Sequence, residues 1–142
     1  MKQDILIPPV EGVSIAIAPD DPTLAAAATA EALVPWGAWL LNHNDYPLRT
    51  VLIVSEGYGE HDGRPVTTSK LRYFFEEVGP QQAVRVELID PALFHLTNQF
   101  WVSYYHGPQL HDKKYVFVPG SLESANLTPI ALLEGRAGVL HS

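Results

Sequence analysis

The stretch QFWVSYYHGPQLHDKKYVFVPG, residues 99–120, decides the class of this chain. Two runs of aromatic and β-branched residues meet across Gly107, Pro108, Gln109 and Leu110. Those residue types suit a pleated, half-buried surface, and Gly and Pro suit the turn between them, so the stretch predicts a β-hairpin. Just upstream, QAVRVELI (residues 82–89) sets Val84, Val86 and Leu88 against Arg85 and Glu87, which predicts a strand with one wet face and one face on a core. Between them, PALFHLTN (residues 91–98) predicts a turn with one helical coil that tucks Leu93, Phe94 and Leu96 under the sheet.

The strand pattern continues toward the N-terminus. TTSKLRYFFEEVGP (residues 67–80) is ambiguous: Leu71, Phe74, Phe75 and Val78 fit a helical period, whereas Leu71, Tyr73 and Phe75 alternate. The aromatic content and Thr67-Thr68 favour a strand. RTVLIVSEG (residues 49–57) is a continuous apolar run of the kind buried on both faces. WGAWLL (residues 36–41) reads as the strand before it, and the turn-rich residues 42–47 predict that the two form a hairpin. VSIAIAP predicts a first strand, which Pro8-Pro9 should confine to a sheet edge. In residues 20–35, Asp21 can cap, Pro22 suits a first helical position, and the Ala tract predicts either a short helix near residues 21–33 or a loose connection. The tail, residues 121–142, lacks a clear period and could add a final edge pairing.

About seven strands with regular turn signals predict an all-β fold, a single immunoglobulin-like or fibronectin type III-like sandwich over residues 1–142. Trp39 and Tyr104 resemble the core aromatics of fibronectin type III modules. The combination of WLLN (39–42), VLIVSEGYG (51–59), TSKLRYFF (68–75), FWVSYY (100–105) and DKKYVFVPGSL (112–122) also resembles a family of uncharacterised short bacterial proteins of Bacteroidetes type. The resemblance covers most of the chain, least of all the Ala-rich residues 20–33. Because no activity is assigned to that family, the resemblance implies no catalytic or binding role for any residue.

Composition narrows the function classes. A chain of 142 residues can remove roughly two-thirds of its unfolded surface from water, and 46% hydrophobic against 18% charged residues suits a packed core. A formal charge of −7 with dispersed arginines argues against nucleic acid and anionic membranes as partners. The absence of cysteine excludes disulfides, thiolate nucleophiles and cysteine-ligated metals. The start has neither a basic nor an apolar export segment, so a cytoplasmic location is expected.

Candidate chemistry is sparse. Gly57, Gly59 and Gly63 suggest a phosphate loop, but Pro65 and two threonines follow where a helix would have to open to aim its amides at a phosphate, so a turn or bulge is the better reading. Glu60, His61 and Asp62 carry metal-ligand chemistry, although neighbours on an extended segment point apart. His106 and His111 flank the hairpin with Asp112 beside them, the best-placed candidate metal set. Ser55 with loop histidines has the inventory of a hydrolase without a Gly-x-Ser-x-Gly elbow. Glu76 and Glu77 on a strand would face opposite sides, which defeats a glycosidase pair.

Adjacent aromatics on strands must send one ring out. Trp36, Tyr73, Trp101 and Tyr105 are therefore the candidate binding residues, for a protein partner or a homo-oligomer. The favoured reading is a non-enzymatic interaction or structural module with no cofactor, acting through an aromatic sheet face or an edge strand. The alternative is a small metal-binding protein or hydrolase built on the loop histidines and carboxylates.

Overall fold

A computed structural model describes residues 9–19 and 35–142. The predicted helix near residues 21–33 lies outside the described residues. The described chain folds as two antiparallel sheets packed face to face, an all-β sandwich. Its strands are β1 (Val13–Pro19), β2 (Trp36–Asn42), β3 (Leu48–His61), β4 (Arg64–Thr67), β5 (Leu71–Val78), β6 (Gln82–Ile89), β7 (Thr97–His106), β8 (Gln109–Phe117), β9 (Thr128–Ile130) and β10 (Arg136–His141). The first sheet runs β6-β2-β1-β10-β9. The second runs β4-β3-β7-β8, with β5 also paired to β3.

The predicted hairpin is β7–β8, closed by His106 opposite Gln109 around the two residues Gly107 and Pro108. Gly107 has φ of 57°, and the ring of Pro108 fixes a negative φ, the combination of a type II′ turn whose twist matches the strands. A second tight turn, Asp62 and Gly63 with φ of 52° and 74°, has both central residues left-handed as a type I′ turn requires and returns β3 into β4.

Three expectations are corrected. First, β2 and β3 do not pair: β2 lies between β1 and β6, and β3 lies in the other sheet. Instead of closing a hairpin, residues 43–47 cross from one sheet to the other. Second, β1 is no edge strand but sits between β2 and β10, with Pro8-Pro9 preceding it. Both β1 and β2 are buried along all seven residues, because one face meets the second sheet and the other meets Ile130 and Leu133. Third, the tail adds two strands, and β10 is interior while β9 is the edge.

The main core fills the space between the sheets with Ile15, Ile17, Leu40, Ile53, Phe100 and Tyr104 among others. Each large apolar side chain removed from water contributes about 1.5–3 kcal/mol. Pro91–Leu93 forms a short 3-10 turn opened by Asp90, whose carboxylate accepts from Ala92 N at 2.9 Å. Phe94 and Leu96 then tuck inward as expected, Phe94 edge-on to Trp36 at 5.1 Å.

Two irregularities place the functional groups. In β3, the register against β7 slips between Arg49 and Leu52, and Thr50 takes φ of 51°. This bulge keeps Leu48 and Val51 inside and turns Leu52 outward. In β6, the register against β2 slips at Ala38 and Trp39, which sit opposite Glu87 and Arg85. Val86 is the extra residue. It stays buried, so the alternation read from the sequence reverses beyond it: Glu87 turns in between the sheets, and Leu88 becomes 55% exposed.

Candidate functional site

Two features compete for the role: a cleft between the sheets, and the outer face of the second sheet. The cleft has a volume of about 370 Å³, and its lining includes Ser55, Gly57, Thr68, Leu71, Glu87 and Asn98. It opens where β4 ends and β5 begins along β3. Thr68 fills that gap in the ladder, its Oγ1 accepting from Gly57 N at 2.7 Å and its own N donating to Gly57 O at 2.8 Å. A Cβ on Gly57 would stand 3.1 Å from Thr68 Cγ2, and one on Gly59 would stand 3.0 Å from Leu96 Cδ2. These glycines thus make room for neighbouring side chains, and Gly63 serves the turn. No helix follows them, so the phosphate-loop geometry is not present.

In the lining of the cleft, Glu87, turned inward by the bulge at Val86, receives two hydroxyls on one carboxylate oxygen: Tyr73 donates at 2.6 Å and Ser55 at 3.2 Å. Burial, and after it the Glu87 carboxylate, hold the Tyr73 phenol well above its ordinary range. The three groups come from β3, β5 and β6 and tie the two sheets together.

The outer face of the second sheet differs. Alternation and register direct Leu52, Phe74, Trp101 and Tyr105 away from the core, and they are 39%, 62%, 48% and 40% exposed. Leu110, opposite Tyr105 on β8, extends the patch. Charged groups are interspersed: Lys114 stands 5.4 Å above the Trp101 ring, and Arg49 pairs with Glu77 at 2.9 Å.

Of the four aromatics singled out in the sequence, Trp101 and Tyr105 lie on this face. Trp36 and Tyr73 do not. Trp36 is 2% exposed because its phase on β2 points it between the sheets, onto Phe94. Tyr73 lies opposite the inward-facing Ile53 and reaches Glu87. Phe74 and Leu52 were missed. The run Tyr73-Phe74-Phe75 must put one ring out, and the pairing of Phe75 with the buried Val51 identifies it as Phe74.

Of the candidate metal residues, the register leaves His106 and His111 on one face and turns Asp112 to the other. His106 stacks on Tyr46 at 3.6 Å with planes 6° apart, and His111 stacks on Tyr104 at 5.1 Å. Asp112 lies opposite Ser103, on the other face of the sheet from His111. Among the described residues no three His, Cys, Asp or Glu side chains stand close enough together to share an ion. His111 Nδ1 is buried without a hydrogen-bond partner among the described residues, a cost that an apolar ring would remove. His111→Phe keeps the ring on Tyr104 and is expected to stabilise the fold by about 1 kcal/mol, raising the melting temperature by about 3 °C. A thermal melt in which it loses stability would show that Nδ1 is satisfied in solution.

No helix among the described residues is long and apolar enough to cross a membrane. Searches against family models, curated proteins and solved structures find no match to this chain, so what it does must be argued from its own geometry.

Proposed function

We propose that this chain is a non-enzymatic protein-interaction module of the cytoplasm that works through the outer face of its second sheet. The observation that carries the reading is the set of Phe74, Leu52, Trp101 and Tyr105 exposed together on one face. Exposed large apolar groups cost solubility, and a contiguous set of them rimmed by charge is the usual composition of a contact surface. Trp and Tyr supply most of the binding energy at such surfaces because they bury much area with few rotatable bonds. An immunoglobulin-like or fibronectin type III-like assignment is supported by the strand order, with β1, β2 and β6 in one sheet and β3, β7 and β8 in the other.

The test is affinity capture from a lysate of the source cells, comparing the natural chain with a Phe74→Asp/Trp101→Asp variant. Both substitutions are at exposed positions, and circular dichroism checks that the variant folds. The expected result is a set of retained proteins, further copies of the chain included, that the variant loses. Equal retention by both would overturn the assignment of the face.

A further inference from the structure

We infer that the occupant of this face is a second copy of the same chain, packed about a two-fold axis that lies in the plane of the face and runs across the strands. The inference rests on the interaction reading above and names its partner. It comes from the strand register. Arg72, Val54, Trp101 and Lys114 stand side by side on β5, β3, β7 and β8 as one cross-strand row. The next row on the same face is Phe74, Leu52, Ser103 and Asp112.

A two-fold axis midway between these rows exchanges them, laying each strand over its own counterpart in the opposite direction. Lys114 then meets the partner's Asp112, and Asp112 meets the partner's Lys114. Arg72 lies over the partner's Phe74 ring, a cation on an aromatic face. Trp101 falls on the partner's Ser103, a small residue that leaves room for the indole, and Val54 meets the partner's Leu52. An isologous interface requires this reciprocity, and here every position of one row finds a suitable position of the other.

The charge pattern also selects this axis over the alternative. An axis along the strands would set Arg72 against the partner's Lys114, like charges facing at both ends of the row. Within the chain, Arg72, Lys114 and Asp112 make no ion pair with another described residue, and Lys114 rests over the Trp101 ring beside it. Packed sheets lie about 10 Å apart, a gap that the long Lys114 and Arg72 side chains can cross to their targets. With strands about 4.8 Å apart and same-face neighbours about 6.8 Å apart along each strand, the two rows cover about 260 Å² of each copy, about 500 Å² over both. That is smaller than a standard specific interface, so the dimer is weak and concentration-dependent.

The experiment uses charge reversal with sedimentation equilibrium from micromolar to millimolar concentration. The natural chain is expected to pass from one to two chains in mass. Lys114→Asp and Asp112→Lys each place two like-charged contacts in the dimer and should weaken it about tenfold or more. Mixing the two single variants is the decisive arm. One carries two acids and the other two bases, so the mixture should form heterodimers by native mass spectrometry that neither forms with itself. Heterodimer formation also shows that both variants are folded.

A natural chain that stays monomeric throughout overturns the self-pairing. If capture still depends on Phe74 and Trp101, the face then serves another protein and the wider interaction reading stands. A dimer indifferent to both reversals, or two variants that do not pair on mixing, overturns this register.

Discussion

Asn42→Asp is expected to cost about 4 kcal/mol at neutral pH, enough to unfold much of a domain whose total stability is about 5–15 kcal/mol. Asn42 ends β2 and is fully buried. Its Nδ2 donates to Tyr46 O at 2.9 Å, Gly79 O at 3.0 Å and Val78 O at 3.3 Å, sharing two hydrogens among three carbonyls. Its Oδ1 accepts from Asn44 N at 3.0 Å. One side chain thus fastens the crossing between the sheets to the end of β5. An aspartate of the same shape turns the donor into an acceptor aimed at three other acceptors. Asn42→Ala only removes the bonds and is expected to cost about 3 kcal/mol.

The two variants should respond differently to acid. In Asn42→Asp the surrounding carbonyls favour the protonated form of the introduced carboxyl, so its folded pKa is raised above the unfolded value. The neutral form's contribution is therefore present below the unfolded carboxyl range and is lost as pH rises through the folded pKa. Urea unfolding of each variant beside the natural protein at each pH checks this. The gap for Asn42→Asp should narrow toward pH ~4 while that for Asn42→Ala stays constant. A loss below about 1 kcal/mol for both at neutral pH would mean the crossing is held elsewhere.

Nothing in the sequence marks Asn42 for this role, and the reason shows where sequence reading works on this chain. Local chemistry was legible. Gly107-Pro108 announces a turn because few residues accept a left-handed conformation, and the aromatic content of residues 71–78 outweighs their helical spacing. What joins distant segments was not. β2 and the apolar stretch Val51–Val54 of β3 follow each other in the chain, and such strands can pair or cross to opposite sheets; only a tight two-residue turn would have separated the cases, and residues 43–47 do not contain one.

The candidate site divides the same way. That one ring of Tyr73-Phe74-Phe75 must face out follows from the two-residue period, but which one depends on register with β3. Trp36 misled because a strand buried on both faces has no polar phase to read. Glu87 misled because a bulge at Val86 reverses the phase, and Val86 is as good a regular strand residue as any.

Tyr115→Ala is expected to cost about 4 kcal/mol and Tyr115→Phe about 1–2 kcal/mol. Tyr115 is fully buried on β8 in the second sheet, and its hydroxyl donates at 2.7 Å to Val13 O on β1 in the first. It is both a core filler and a bond between the sheets. The alanine variant removes the ring and leaves a cavity at the centre of the sandwich. The phenylalanine variant keeps the packing and isolates the bond, leaving the Val13 carbonyl without its donor. Burial, and after it the neighbouring Tyr104, raise the Tyr115 phenol; burial likewise pushes Tyr104 up to about 12. Groups raised in the folded state contribute stability that is complete below the unfolded tyrosine value near ~10 and is lost as pH rises through the folded pKa. The natural protein should therefore weaken above pH ~10. Tyr115→Phe, less stable at neutral pH, should weaken less steeply there because one titrating group is gone. Denaturant titrations at pH ~8 and pH ~11 measure both effects. Equal alkaline losses in the variant and the natural chain would place the titrating tyrosines elsewhere, and a neutral-pH cost near zero would show that the two sheets are held by packing without this bond.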